Sequence, residues 1–142
     1  MDALERLLAM EEIRRVKARR CRCLDEKDWE GYVDCHTPNA ISYALAKPTV
    51  GARAMGEQLR SQIEHKTTVH HVHSPEIEFT SDTTAKGIWA MEDMLWWEEG
   101  GQEHWTHGYG RYDETYEKLD GRWLIASRRL TRTRVDQGVI GR

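Results

Sequence analysis

Three groups of side chains in the sequence are of types that could carry out acid–base chemistry. Arg20 and Asp25 lie at the end of a helical pattern, the segment HHVH begins at His70, and Arg128 lies in the last extended segment. Histidine titrates near neutral pH and is therefore a natural general base. Guanidinium groups stabilise negative charge that develops during a reaction. In a shared pocket, these groups would be suited to proton abstraction assisted by cations; otherwise Asp25 is a solvated acid at a helix end.

Periodicity alone leaves the choice among the histidines open. Strict alternation would place His71 and His73 on one face of a strand and His70 on the other. Pro75 interrupts this strand, and a bulge there would break the alternation. His71 and His73 could alternatively bind a metal ion with His104 or His107 of a neighbouring strand. No carboxylate stands at a clear ligand spacing for such a site.

Two other charged residues interrupt apolar alternation. Arg128 alternates with apolar residues in the last extended segment, and Asp93 does so in an earlier one. A charge among apolar side chains needs a partner, so we expect a carboxylate or an anionic substrate group beside Arg128. Asp93 is either a second acid of the pocket or a satisfied structural residue, and we favour the structural interpretation. Arg132 and Arg134 are expected in solvent or at an interface.

The N-terminal half predicts three helices that would position the first group. Asp2 caps the first helix, which ends near Asp25; Asp28 caps a second through about Cys35; residues 51–64 form a third. Apolar residues at three- and four-residue spacing predict one buried stripe on the first helix, formed by Leu4, Leu7, Leu8, Ile13, Val16 and Leu24. The basic residues are expected largely on its solvated face: Arg14, Arg15, Lys17 and Arg19.

The C-terminal half predicts long strands. A turn is expected at Pro38-Asn39, followed by a short strand over residues 40–46. Four longer strand candidates span residues 69–79, 85–97, 105–119 and 123–135, separated by short turns that include Asp120-Gly121. Short connections predict an antiparallel meander, with possible bulges at Pro75, Gly108 and Gly110. Helices followed by a meander make an α+β domain, and a curved sheet over helices leaves one open mouth for a small-molecule pocket.

Composition sets the broad class. The 142 residues predict a single domain over 1–142, and the net charge of −3 argues against nucleic-acid and membrane-surface partners. The N-terminus lacks the layout of a signal peptide. The odd set Cys21, Cys23 and Cys35 indicates reduced thiols, so we expect a cytoplasmic protein. Trp96 and Trp97 must point to opposite sheet faces, which predicts a second subunit on the outer face.

Several motifs carry a resemblance to a known family. The segments LDEKDWEGY, HHVHSPEIEF, KGIWAME and GYGRYDETYEKLDGRWLIASRRL, in the order helix–helix–strand–helix–meander, resemble the SnoaL-like branch of the NTF2-like superfamily. The resemblance implies an α+β cone in which three N-terminal helices pack in a strongly curved, mostly antiparallel sheet. The branch includes scytalone dehydratase, γ-hexachlorocyclohexane dehydrochlorinase and bile-acid dehydratase, with polyketide cyclases, isomerases and chains of no known activity.

The dehydrochlorinase pattern implies four catalytic residues. Its catalytic Asp ends the first helix, as Asp25 does, and its catalytic His begins a ten-residue segment that ends in Glu-Phe, as His70 does. A pocket Lys lies five residues before the Asp, where this chain has Arg20, and a pocket Arg matches Arg128. The change from Lys to Arg keeps the charge but alters its size and geometry. We place five further residues in the pocket: Tyr43, Trp89, Asp93, His107 and Tyr112.

The resemblance implies a cofactor-independent lyase of the dehydratase or elimination type. His70 would be the general base, oriented by Asp25, on a small, cyclic, largely apolar substrate that loses water or a halide. The alternatives are an isomerase or cyclase in the same pocket, or a non-catalytic assembly subunit similar to the small subunit of ring-hydroxylating dioxygenases. No metal or organic cofactor is expected. A homo-oligomer, trimer or dimer, is expected, with no nucleic-acid or membrane partner.

Overall fold

Within the residues that the structure describes, the chain forms three helices and six strands, of which the sequence predicts the helices and five strands in this order but not the two-residue strand Thr49–Val50. The structure is a computed structural model that describes residues 1–44 and 46–141. The described elements are α1 (Ala3–Glu26), α2 (Trp29–Asp34), β1 (His36–Ser42), β2 (Thr49–Val50), α3 (Ala52–Ile63), β3 (Thr67–Phe79), β4 (Thr84–Glu99), β5 (Gln102–Leu119) and β6 (Arg122–Ile140). The α+β prediction is confirmed.

Helix α1 begins and ends where its sequence signals predict. The Asp2 side chain accepts from the Glu5 backbone, and the Glu5 side chain accepts from the Asp2 backbone, which forms a capping box. Lys27 adopts a left-handed conformation with φ of 60° and ends the helix directly after Asp25 and Glu26. The cap geometry therefore places the Asp25 carboxylate in the last turn of the longest helix.

The predicted buried stripe of α1 is correct only in its second half. Ile13 and Leu24 are buried, whereas Leu4, Leu7 and Leu8 are 57–66% exposed. At 3.6 residues per turn, these three leucines lie roughly 120–180° around the helix from Ile13. The buried side of α1 instead includes two basic residues, Lys17 and Arg20. Its buried residues are Ala9, Ile13, Val16, Lys17, Arg20, Cys21, Cys23 and Leu24.

The segment between α2 and α3 differs from the prediction. Pro38 and Asn39 do not form a turn but lie within β1. This strand runs parallel to β6, and its register is interrupted between His36 and Ile41. Proline cannot donate to a ladder, so it is accommodated where the pairing is irregular. Residue 45 of the predicted strand over 40–46 lies outside the described residues.

The sheet has the strand order β2-β1-β6-β5-β4-β3. The four long strands β3 to β6 form the predicted antiparallel meander, and β1 alone joins a neighbour in parallel. Register irregularities occur between Val72 and Pro75 and between Tyr109 and Gly110, which confirms two of the predicted bulges. Gly108 keeps regular pairing. Such bulges bend long strands and produce the curvature of the sheet.

The helices pack on one face of this sheet, which we call the inner face. One core cluster joins Ile13 and Val16 of α1 to Tyr116, Trp123 and Ile125 of the sheet. A second cluster joins the end of α1 to α2 and α3. The outer face is the opposite side of the same strands. Among residues 1–44 and 46–141, no helix has the length and apolar character that crossing a bilayer requires. The three cysteines are unpaired and buried.

Candidate active site

A His–Asp pair joins the end of α1 to β3 on the inner face. His70 Nδ1 lies 2.6 Å from Asp25 Oδ1, and the His70 backbone N–H donates to Asp25 Oδ2 at 2.9 Å. The Thr68 hydroxyl donates to Oδ1 at 3.0 Å and accepts from Lys27 Nζ at 2.8 Å. Three hydrogen bonds thus fix the carboxylate and, through it, the ring, and the bond from Lys27 holds the Thr68 hydroxyl in place. The predicted His70–Asp25 contact is confirmed.

The electrostatics of this pair define which nitrogen can react. Burial alone would raise the pKa of Asp25, but the hydrogen bonds from His70 and Thr68 outweigh it and hold that pKa below its usual value. Asp25 is therefore ionised and can only accept, so the proton of the neutral imidazole lies on Nδ1. Nε2 of His70 is then the basic nitrogen, as a general base requires.

His70 lines a cavity of about 310 Å³ between the helices and the sheet. The cavity combines aliphatic walls with an unusual number of charged groups. Its lining residues are Arg20, Leu24, Ala44, Leu59, Gln62, Ile63, His70, Asp93, Leu95, Tyr112, Arg128, Leu130 and Arg132. We call this space the inner cavity. All four predicted catalytic positions are thus at or beside it, since Asp25 is bonded to His70.

Two arginines enter the inner cavity from opposite elements. Arg20 of α1 is 1% exposed and Arg128 of β6 is 5% exposed. Their Cζ atoms lie 5.8 and 5.1 Å from the ring centroid of Tyr112, so both guanidinium groups border the same aromatic ring. Arg128 Nη1 donates to Ser42 Oγ at 3.4 Å. Arg20 Nε, Arg20 Nη1 and Arg128 Nε have no hydrogen-bond partner among the described residues.

A buried ion pair that the sequence analysis missed lies against Tyr112 of the cavity wall, with Lys17 Nζ 3.8 Å from the centre of that ring. Lys17 Nζ donates to Glu114 Oε2 at 2.7 Å, and both side chains are fully buried. The Tyr116 hydroxyl donates to Glu114 Oε1 at 2.9 Å. Lys17 was expected on the solvated face of α1, and that expectation is wrong. Its spacing of four residues from Ile13 and seven from Leu24 was the signal that places it inward.

A second ion pair lies on the wall of the cavity. Arg132 donates to both oxygens of Asp93 at 2.8 and 2.9 Å, which is the bidentate geometry of a strong pair. Asp93 is buried and satisfied, as the structural interpretation expected, and it also lines the cavity. Arg132, which was expected in solvent or at an interface, keeps 38% of its side chain exposed and also borders the cavity. A Cβ on Gly108 would collide with Arg132 Nη1 and Asp93 Oδ1, so a side chain at this strand position would displace the ion pair.

A sequence model of the SnoaL-like domain matches residues 5–129 of this chain. The chain belongs to the SnoaL-like family. The matched segment runs from α1 into β6 and therefore contains Arg20, Asp25, His70 and Arg128. The family resemblance read from the motifs is confirmed, and the curved six-stranded sheet with its N-terminal helices is the cone that the resemblance implies.

Solved structures share this cone. A protein from Novosphingobium aromaticivorans, provisionally named a scytalone dehydratase, has a TM-score of 0.85 at 23% identity, over 95% of this chain and 91% of its own. The type 3 hexachlorocyclohexane dehydrochlorinase of Novosphingobium barchaimii has a TM-score of 0.81 at 16% identity, over 96% and 94%. A Mycobacterium tuberculosis protein of unknown function has a TM-score of 0.78 at 24% identity, over 94% of this chain and 78% of its own. At these identities the similarity establishes the fold alone. A function for this SnoaL-like chain therefore has to be inferred from the residues of its own site.

Three of the predicted pocket residues do not line the inner cavity. Trp89 is buried below it, where its Nε1 donates to the Tyr116 hydroxyl at 2.7 Å. Tyr43 follows the inward Ser42 and lies on the outer face, where Arg129 Cζ sits 4.7 Å from its ring centroid. His107 also lies on the outer face, because it is adjacent to Gly108, which is paired with the inward Asp93.

The other histidines of the HHVH segment face outward with His107. His107 Nε2 lies 3.1 Å from Glu92 Oε2, and His71 Nδ1 and His73 Nε2 lie 3.5 and 3.7 Å from Glu92 Oε1. Glu92 is the carboxylate that the spacing argument did not find. Nevertheless, within residues 1–44 and 46–141, no three or more His, Cys, Asp or Glu side chains are arranged so that they could hold a metal ion.

The outer face contains a larger cavity, of about 570 Å³, lined by residues that include Tyr43, Ile88, Thr115 and Arg129. Size does not make it the better candidate site. The His70–Asp25 pair and the buried arginine atoms without partners lie at the inner cavity. Perturbed ionisable groups that converge on one space are the physical mark of a reactive site. We therefore take the inner cavity as the candidate active site.

Proposed function

We propose that this chain is a cofactor-independent lyase that eliminates water or a halide from a small, cyclic, largely apolar substrate. The observation that carries the proposal is the 2.6 Å contact between His70 Nδ1 and Asp25 Oδ1, with His70 lining the inner cavity. The cavity walls supply apolar contact for the substrate through Leu24, Leu59, Leu95 and Leu130. The dehydratase and dehydrochlorinase names among the structural neighbours support the same reaction class.

The proposed step conserves atoms and charge. His70 Nε2 takes a proton from a substrate carbon, and the electrons of that C–H bond form a carbon–carbon double bond. The bond to the leaving group breaks, and the group departs with its electron pair. A halide leaves as the anion and the imidazolium later releases its proton to solvent, whereas a hydroxyl group takes up the proton of the imidazolium and leaves as water. Asp25 stabilises the imidazolium that forms. Arg20 and Arg128 offset the negative charge that develops on the departing group or on an enolate oxygen.

An isomerase or cyclase is the second candidate, because the same base and the same two cations would also stabilise an enolate that is reprotonated elsewhere. Mass spectrometry of products made in H₂O and in D₂O separates the two. Elimination gives a product lighter by water or a hydrogen halide. Isomerisation gives a product of unchanged mass in H₂O that gains deuterium in D₂O.

The direct test is a panel of hydroxylated and halogenated cyclic compounds, first screened for binding by thermal shift and then assayed for product. We expect the wild-type chain and the outer-face variant His71→Ala to form the same product. His70→Ala should form almost none. Equal activity of His70→Ala and wild type on every substrate would contradict the proposed base.

We also propose that the protein is a homo-oligomer, dimer or trimer, through the outer face of its sheet. The support is that Trp96 and Ile88 lie on this face and that Ile88 is 41% exposed. Light scattering at micromolar concentration is expected to report more than one subunit. Ile88→Lys should lower the mass, whereas Leu7→Lys on the exposed side of α1 should not. A wild-type monomer would contradict this proposal.

A further inference from the structure

Several buried donor atoms at the inner cavity are left without acceptors. They are Arg20 Nε and Nη1, Arg128 Nε and the Tyr32 hydroxyl, none of which has a hydrogen-bond partner among the described residues. The three side chains are 0–5% exposed. The Arg20 Cζ lies 5.2 Å from the ring centroid of Tyr32, and a small chamber of about 40 Å³ is lined by both Tyr32 and Arg128. Buried donors are normally satisfied, so a ligand with acceptor atoms would complete them.

The carboxylates around the cavity are already engaged with other partners. Glu114 uses one oxygen for Lys17 and the other for Tyr116. Asp93 uses both oxygens for Arg132. Glu114 attracts the Arg20 guanidinium through space, but neither of its oxygens bonds to it. The two cavity arginines therefore have no counter-ion of their own.

Most charges around the cavity have partners of opposite charge. Lys17 pairs with Glu114, Arg132 pairs with Asp93, and Asp25 bonds to His70 and, through Thr68, to Lys27, which leaves Arg20 and Arg128 without a counter-ion. His36 adds no charge, because burial and the neighbouring Arg20 and Arg128 hold its pKa well below its usual value. A buried charge without a counter-ion is unfavourable. An anionic group on the ligand would supply the counter-ion that these two arginines lack, and the other cations, Lys17 and Arg132, already have carboxylate partners.

We propose that the substrate of this site carries a carboxylate, bound by Arg20 and Arg128 beside the Tyr32 hydroxyl. The proposal rests on the proposed function in taking the inner cavity as the substrate site, and it narrows the substrate to a small carboxylic acid with an apolar body. A planar carboxylate suits guanidinium donors, which bind it in fork geometry. The leucine walls contact the remainder of the molecule. Arg20 and Arg128 then contribute to substrate affinity, and during the reaction they stabilise the negative charge that is delocalised onto the bound carboxylate as its enolate forms.

The binding test compares acids with neutral amides of the same shape. The probes are benzoate, cyclohexanecarboxylate and trans-cinnamate, each beside its primary amide, in a low-salt buffer free of carboxylates, since salt screens charge pairs. Isothermal titration calorimetry should show at least one acid binding more tightly than its amide. Loss of a charged hydrogen-bond partner typically weakens binding on the order of 10–100-fold, which is the preference expected here. Equal or stronger binding of all three amides would overturn the proposal.

Matched variants assign the binding to the two arginines. Arg20→Met and Arg128→Met should each lower the affinity for the preferred acid on the order of 10-fold or more. Arg129→Met changes the adjacent guanidinium on the outer face and should leave the affinity unchanged. An equal loss in Arg129→Met would overturn the proposal. The melting temperature of the ligand-free protein gives a second readout: removing an uncompensated buried charge should not lower it.

The result separates this inference from the proposed function. His70→Ala should keep the preference for the acid over its amide, because His70 is not among the carboxylate donors, even if the loss of a residue that lines the cavity changes both affinities. Acid binding that depends on Arg20 and Arg128, with no elimination of any acid, would support the carboxylate site and contradict the lyase proposal. Elimination of neutral substrates only, without acid preference, would support the lyase and overturn the carboxylate site.

Discussion

Replacing His70 by Ala is expected to lower turnover on the order of 10²–10⁴-fold, with a much smaller change in KM. The imidazole is the only base that the proposed elimination uses, and apolar walls hold most of the substrate. Asp25→Asn should reduce turnover in the same direction, because an amide can donate to Nδ1 and thereby favour the wrong tautomer. Steady-state kinetics on the substrate found in the compound panel measures both effects.

The double variant His70→Ala/Asp25→Asn is the decisive comparison. If Asp25 acts only through the imidazole, the double variant should be no slower than His70→Ala alone. Two losses that multiply would show that Asp25 acts independently, and Asp25 would then be a candidate base itself, as in the isomerase alternative. His71→Ala is the matched control, since His71 is the next residue on β3 but faces Glu92 on the outer side.

The choice of His70 as the general base shows what the sequence alone could predict about the site and what it could not. Alternation alone could not choose His70, because the bulge between Val72 and Pro75 separates the face of Ile77 from that of the histidines. The family resemblance supplied the choice by matching His70 and Asp25 in two distant motifs. The structure then pairs His70 with Asp93 across β3 and β4, which places its side chain inward.

The errors have two physical causes. Tyr43 and His107 were assigned to the pocket by residue type, but in a strand a shift of one position moves a side chain to the other face. Lys17 was assigned to solvent because charged residues are rarely buried. Its partner, Glu114, is 97 residues away in sequence, so the compensation for burying the lysine becomes visible only in three dimensions. Arg132 stays partly exposed, but its pairing with the buried Asp93, 39 residues away, is likewise visible only in three dimensions.

The buried pair of Lys17 and Glu114 leads to the largest expected effect on stability. Lys17→Met should lower the free energy of unfolding by about 3–5 kcal/mol, because Glu114 would remain buried without its cation. Urea unfolding followed by circular dichroism measures the change. Lys17→Met/Glu114→Gln should recover much of the loss. Arg15→Met removes a cation from an exposed pair on the same helix and should have little effect.

Glu114→Gln should differ from Lys17→Met in how its stability depends on pH, because the lysine that remains can release its proton. Burial lowers the pKa of Lys17 to about 8, against the opposing attraction of Glu114. Between that value and the ordinary lysine pKa of about 10.4, the unfolded chain binds more protons than the folded chain, so the contribution of this group to stability rises with pH. Glu114→Gln removes the opposing attraction and should extend this rise to lower pH. A stability that is independent of pH in Glu114→Gln, or an unchanged stability in Lys17→Met, would show that the pair is not buried as described.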